Sequence, residues 1–331
     1  MERNGGLVQV RTPTYRRPAA LRRALASVVA QSWSNWILDV YDDDPDHAAR
    51  LICAEFADPR IRYHHNIPQR FASKNIDSCF SSDNPEDADY FCVLEDDNFL
   101  LPEFFAQNIG ICRERGVEIV LRNQLIEHAS ATSDAHLSAS GVLDGLFIEG
   151  IYEPAQFRMS LLVGIGVSNG GMFWSRDARS HLEIEFPCTA TMQEYMRTFS
   201  INEPIYVAMA PLAVWAENAE QTTRNAELRA SYFRRELDLK RQVQALQRIV
   251  WEQSPPAARD RFLTDAHFVP SPALRARSLS KALIPHRAGD LAPRDAIEMV
   301  LRGMMIRALG RLSPEFRPFV DTRLATARGA A

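Results

Sequence analysis

Three consecutive acids, Glu95, Asp96 and Asp97, close an apolar run from Tyr90 to Leu94. An aromatic and β-branched run of this length reads as a buried strand, which puts the carboxylates at its C-terminal end. Like charges clustered at such an edge repel one another unless a cation neutralises them. Ligands of open α/β sheets bind outside these strand ends, and Mg2+ is commonly held by one or two carboxylates together with substrate phosphates. The chemistry suggested is metal-assisted handling of a phosphorylated substrate, with a solvated acidic turn as the alternative. A second strand-like segment, beginning at Trp36 and breaking into Asp42, Asp43 and Asp44, favours the first.

The elements that must position these acids are legible around them. Leu7 to Thr12 reads as a strand running into the turn Pro13-Thr14-Tyr15, and Pro18 to Gln31 as a helix with proline in its permitted first turn and Leu21, Leu25, Val28 and Val29 on one face. The strand from Trp36 completes a β-α-β unit. Such a crossover makes its strands parallel, so Thr12 and the Asp42 cluster line one crevice onto which the strand ending at Glu95 also opens.

In order and spacing these segments resemble the inverting glycosyltransferases of family 2. The resemblance rests on Val10 to Pro18, Leu25 to Trp33, Asp42-Asp43, Arg60 to Tyr63 and Leu94 to Pro102, and it covers roughly the first 200 residues. It implies a GT-A fold, an α/β architecture with a Rossmann-like mixed sheet flanked by helices. It also implies a nucleotide and ribose pocket at Thr12, Thr14 and Asp42 or Asp43, a metal (Mg2+ or Mn2+) on Asp97, and Asp96 near the ribose or the same ion. Arg70 and Lys74 fall where the family places basic contacts to the donor, although Asp44-Pro45 and Arg70-Phe71-Ala72-Ser73 depart from its usual glycine and small-residue loop. UDP is the expected nucleotide, carried by a UDP-hexose or a UDP-N-acetylhexosamine.

Val163 to Arg176 is glycine-dense and then apolar, without the Gly-Lys-Ser/Thr of a phosphate loop. A bend beside the substrate that leads into a strand is expected, with Gly170, Gly171 and Trp174 as acceptor-side candidates; a core role for Trp174 stays open. Attack by an acceptor hydroxyl needs a base, and Thr191 to Arg197 resembles the family's acidic motif at a helix start. Glu194 stands where an aspartate is usual and Gln193 replaces the preceding acid. Glu194 is the base expected, with Glu217 and Glu149 as weaker candidates. The implied reaction is a single displacement that inverts the sugar. Two other readings stay open: a sugar-phosphate nucleotidyltransferase, and a non-catalytic binding protein on a degenerate fold of this kind.

Composition is that of a soluble globular chain of 331 residues, 46% hydrophobic, with no apolar run long enough to span a bilayer, and a cytoplasmic site is expected. Cys53, Cys79, Cys92, Cys112 and Cys188 are scattered, as reduced core cysteines would be. Residues 1–218 carry a net −12 and residues 219–331 a net +8, which suggests a catalytic unit followed by a mainly helical, basic extension. That extension offers a long helix from Glu220 to Gln253 and another from Pro293 to Leu312. The latter has an apolar face of Ile297, Val300, Leu301, Met304, Met305, Ala308 and Leu309. Packing of this face on the catalytic unit or a second subunit is preferred over peripheral contact with anionic lipid. The acceptor could be a glycan, lipid carrier, protein or small molecule. The dispersed arginines do not suggest nucleic acid.

Overall fold

The computed structural model describes residues 5–184, 186–217, 229–264, 271–287 and 290–329. Its strands are β1 (Val8–Thr14), β2 (Trp36–Asp42), β3 (Ile61–His65), β4 (Tyr90–Val93), β5 (Phe99–Leu100), β6 (Ile119–His128), β7 (His136–Leu137), β8 (Gly150–Tyr152), β9 (Met172–Ser175) and β10 (Ile205–Ala216). They form one sheet in the order β3-β2-β1-β4-β9-β6-β10-β5, with β7 on β6 and β8 on β10. The first four are mutually parallel, and β9 runs antiparallel to both β4 and β6. This is the mixed sheet expected.

Strand periodicity builds a core on each face of the sheet, because successive side chains point to opposite sides. In β4, Tyr90 and Cys92 join one core while Phe91 and Val93 join the other; in β9, Phe173 joins the first and Met172 and Trp174 the second. Helices α1 (Pro18–Val29), α2 (Ala48–Glu55) and α4 (Phe104–Arg115) cover the first face with Leu21, Leu25, Ile52 and Phe105. On the other face lie α3 (Phe71–Ser78), α5 (Pro154–Arg158) and α6 (Ala190–Ser200). Each fully buried Leu or Phe contributes about 1.5–3 kcal/mol.

The second core does not stop at residue 218. Helix α7 (Arg229–Gln253) contributes Leu246 and Ile249, α8 (Pro256–Thr264) Phe262, α9 (Pro272–Lys281) Leu279, and α11 (Phe316–Gly329) Phe316 and Val320. The basic extension is thus helical and shares one hydrophobic core with the sheet. The start expected for its first helix, at Glu220, lies outside the described residues.

Helix α10 (Pro293–Leu309) narrows an expectation. It packs through Met299, Gly303 and Ile306, and the face from Ile297 to Leu309, expected to pack on the catalytic unit or a second subunit, is exposed and so does not meet the catalytic unit. The reason is a close approach: a Cβ on Gly303 would come within 2.4 Å of the Lys281 carbonyl oxygen. Gln244 Nε2 also donates to the carbonyls of both Lys281 (2.9 Å) and Gly303 (3.0 Å). Backbone contact, rather than the larger number of apolar side chains, sets the rotation of the helix.

Candidate active site

The C-terminal ends of β1, β2 and β4 bring the expected groups to one edge. Thr14 pairs with Asp42 across β1 and β2, and the Leu94 amide donates to the Arg11 carbonyl at 3.0 Å, aligning the turn that follows β4 with the end of β1. Buried Thr14 donates through Oγ1 to Asp96 Oδ2 at 2.8 Å, and the Tyr15 amide reaches the same oxygen at 3.3 Å. Thr12 is fully buried and its hydroxyl has no hydrogen-bond partner within the protein.

The three acids after β2 have separate partners. Asp42 accepts the Asp44 amide and the Tyr63 hydroxyl, and burial pushes its pKa up. Asp43 accepts the amides of Arg70 (2.7 Å) and Phe71 (2.6 Å), capping the start of α3. Asp44 accepts from Arg16 Nε at 2.9 Å. By holding the start of α3, Asp43 positions exposed Arg70 and Lys74 one helical turn apart.

After β4, Arg17 Nη1 pairs with Asp96 Oδ1 at 3.1 Å and Asp97 Oδ2 at 2.6 Å. Burial, and next the charge of Asp97, raise the Asp96 pKa to about 6. The Asp96 side chain is 6% exposed and that of Asp97 is 19% exposed. No group of three His, Cys, Asp or Glu side chains among the described residues is arranged to enclose a metal. An ion at this edge would be held chiefly by Asp97, the more exposed of the two aspartates, and by oxygens of its ligand, as Mg2+ usually is, and would compete with Arg17 for Oδ2.

Glu194 lies on α6, which Thr189 starts by accepting the Met192 amide on Oγ1. The glycine-dense loop lies directly on this helix, since a Cβ on Gly166 would come within 3.0 Å of the Glu194 backbone. At the other end of the loop, a Cβ on Gly171 would meet the Arg122 carbonyl oxygen at 2.7 Å, and one on Gly170 would meet Gln124 Nε2 at 3.1 Å. The loop is thereby fixed between α6 and β6.

Asn169, in this loop, is the hub of the site. Its amide faces Glu194 Oε1 at 3.4 Å, its Nδ2 donates to Glu95 Oε1 at 3.2 Å, and its Oδ1 accepts from Arg197 Nη1 at 2.8 Å. Arg197, fully buried, also donates to Asp77 Oδ1 at 2.6 Å, with its guanidinium 3.7 Å from the Phe80 ring centroid. Burial, then the charge of Asp97, raise the Glu95 pKa to about 7; burial, then the charge of Glu95, raise that of Glu194 to about 8. Two carboxyls with displaced pKa values thus form one interacting cluster with Asp96 and Asp97, a pattern that marks functional sites.

Several of these residues had no role in the sequence reading. Glu95 was visible as the first of the three acids, Arg17 within the turn after β1, Asn169 within the glycine run, and Arg197 one helical turn after Glu194. Asp77 carried no local signal. Trp174 is corrected: it is 5% exposed in β9 and stacks on Phe80 (5.4 Å) and Phe91 (5.8 Å), so the core, not a sugar, occupies its ring. Glu149 is hydrogen-bonded by the Tyr206 hydroxyl and the Met209 amide, and Glu217 pairs with His128.

A mixed sheet of this topology flanked by helices is a GT-A fold. The glycosyl transferase family 2 model matches residues 10–177, just over half of the chain, and the chain belongs to that family. Among curated proteins, Protein CgeD of Bacillus subtilis (strain 168) is 24% identical over 185 residues, 53% of this chain and 43% of CgeD; the match thus spans less than half of that relative. S. aureus TarS 1-349 matches with a TM-score of 0.56 at 12% identity, over 97% of this chain and 87% of that one. The same TarS segment in complex with UDP-GlcNAc matches at 0.53 and 12%, over 97% and 88%. At that identity the likeness is one of fold.

Proposed function

We propose that this protein is a metal-dependent, inverting glycosyltransferase that moves a sugar from a UDP-sugar, a UDP-hexose or UDP-N-acetylhexosamine, to an acceptor hydroxyl. The observation that carries the proposal is Glu194: a carboxyl held beside Glu95 by Asn169, in the crevice of the strand-end aspartates, with its pKa pushed up to about 8. A general base works best when its pKa is close to the working pH. Glu194 takes the acceptor proton as the acceptor oxygen bonds to the anomeric carbon, the bond to the diphosphate breaks on the opposite side, and the anomeric configuration inverts. No covalent enzyme intermediate is needed.

Thr12, Thr14, Asp42, Asp43 and Asp96 border the nucleotide, and Arg70 and Lys74 meet the donor from α3. The unpartnered hydroxyl of buried Thr12 is a free hydrogen-bonding group for it. Asp97 holds Mg2+ or Mn2+, which when bound offsets the charge of the departing diphosphate. The preference for UDP is supported by the UDP-GlcNAc complex of TarS, whose fold this chain shares. Residues 1–218 supply this chemistry, and residues 219–331 supply contacts to acceptor or surroundings.

Calorimetric titration with UDP, GDP and CDP, each with Mn2+ and with EDTA, tests the donor site. The expected result is UDP binding that needs Mn2+ and weakens at least ~10-fold, about 1.4 kcal/mol, in Asp97→Ala. Binding that persists in EDTA would transfer the charge-balancing role from the metal to Arg17, which already bridges Asp96 and Asp97. Absence of binding by all three at ~1 mM would defeat the assignment.

A further inference from the structure

We propose that the outer face of α10 is a docking surface for an anionic lipid bilayer. Helix α10 has apolar side chains on two opposite faces, with Arg302 and Arg307 between them. Here only Met299, Gly303 and Ile306 face inward, and the Gly303 crossing against Lys281 locks that rotation. Ile297, Val300, Leu301, Met304, Met305 and Leu309 are 38% to 62% exposed. Their spacing of three and four residues gathers them on one face, opposite the packed one. Beside the end of α10, where a Cβ on Gly310 would meet the Leu237 carbonyl oxygen of α7 at 2.8 Å, Phe233 of α7 is a further exposed apolar side chain, 70% exposed, one turn before Leu237.

Charge and size favour lipid over a second copy of the chain. Arg294, Arg302 and Arg307 lie on α10 and Arg311 just beyond it, against only Asp295 and Glu298. Glu298 pairs with Arg302 at 2.6 Å, so that pair is neutral and the excess positive charge rests on Arg294, Arg307 and Arg311. Residues 219–331 carry a net +8 overall. Self-association through this face would bring arginines against arginines, whereas anionic headgroups complement them. A standard protein interface also engages roughly 20–30 residues a side, far more than this single helix presents. A bilayer needs no matching partner shape: an apolar stripe with basic flanks buries into the headgroup boundary and lies in the surface plane. No described helix is long and apolar enough to cross a membrane, so the contact is peripheral. It does not depend on which sugar the crevice handles.

Flotation of the full chain with phosphatidylcholine vesicles, with and without about a third phosphatidylglycerol, tests the assignment alongside sedimentation velocity. The expected result is at least ~10-fold stronger binding to the anionic vesicles, weakened by high salt. Leu301→Gln with Met304→Gln should lower binding to the anionic vesicles at least ~10-fold while leaving circular dichroism and nucleotide binding unchanged. Arg307→Gln with Arg311→Gln should remove much of the preference for anionic lipid. The proposal is overturned if the chain does not bind vesicles, whether it stays monomeric or forms a dimer that the Leu301/Met304 variant dissociates. It is equally overturned if both variants bind as well as the parent.

Discussion

The crevice and the outer face of α10 break opposite rules of folding. The crevice holds Asp96 and Arg197 out of water and Glu95 and Glu194 partly so, where charge is costly unless paired. Helix α10 leaves Ile297, Leu301, Met304 and Met305 in water, where apolar surface gains nothing. In the crevice the protein pays part of the cost internally, through Asp77, Asn169, Asn98 and Thr14. On α10 nothing within the described chain covers the exposed side chains. The difference separates two ways of being incomplete: a preorganised polar site awaiting a small charged ligand, and an unpaired apolar surface awaiting an extended one.

The largest expected effect removes the proton acceptor from the crevice. Glu194→Gln keeps the size of the side chain and discards its basicity, and general-base catalysis is worth about 10²–10⁴-fold. Turnover should fall by that factor while UDP affinity, measured by calorimetry, stays near that of the parent. Substituting either weaker candidate, Glu149 or Glu217, should leave turnover within about threefold. A Glu194→Gln enzyme with undiminished turnover would place the base elsewhere.

Next is the support beneath the site. Arg197→Leu leaves the Asp77 carboxylate with the Ile184 amide but without its guanidinium and removes the cation from Asn169, and breaking a buried pair by deleting one partner costs about 3–5 kcal/mol. Urea denaturation followed by circular dichroism should show a loss of that size. A surface arginine such as Arg302, paired with Glu298 in water, should lose no more than about 1 kcal/mol on the same substitution. Equal losses at the two sites would erase the distinction between them.

How much of this was legible beforehand follows from the range of the interactions. The strand ending at Asp42, the turn at Glu95 to Asp97 and helix α1 depend on runs of neighbouring residues, so composition and period disclose them. The hub depends on pairs far apart in sequence: Asp77 and Arg197 are separated by 120 positions, and Glu95 and Asn169 by 74. Nothing local marks Asp77 as the partner of an arginine on another helix. The rotation of α10 is hidden from the sequence for a different reason. Its apolar pattern points to the richer face, whereas the glycine approach at Gly303, a backbone effect without a hydrophobic signature, decides which face turns inward. Trp174 shows a similar limit, because aromatic type does not distinguish a ring that packs from one that presents itself to a sugar.

The smallest expected effect concerns the coupling between Glu95 and Glu194. A base acts in its deprotonated form, so turnover should rise with pH, and burial together with the charge of Glu95 places the Glu194 transition at about 8. Because the two carboxyls interact, the measured limb belongs to the pair rather than to one residue. Glu95→Gln removes the like charge while leaving Glu194 buried. The acid limb of the rate profile should therefore move to lower pH, so that more of the maximal rate is available near neutrality even if the maximum itself falls. Asn98 and Asn169 both donate to Glu95, and the glutamine amide can satisfy only one of those donors with its oxygen, so some loss of the maximum is expected. The direction of the limb is independent of that loss. An unmoved limb would mean that burial alone sets the Glu194 pKa, and the crevice would then hold two separate acids instead of a coupled pair.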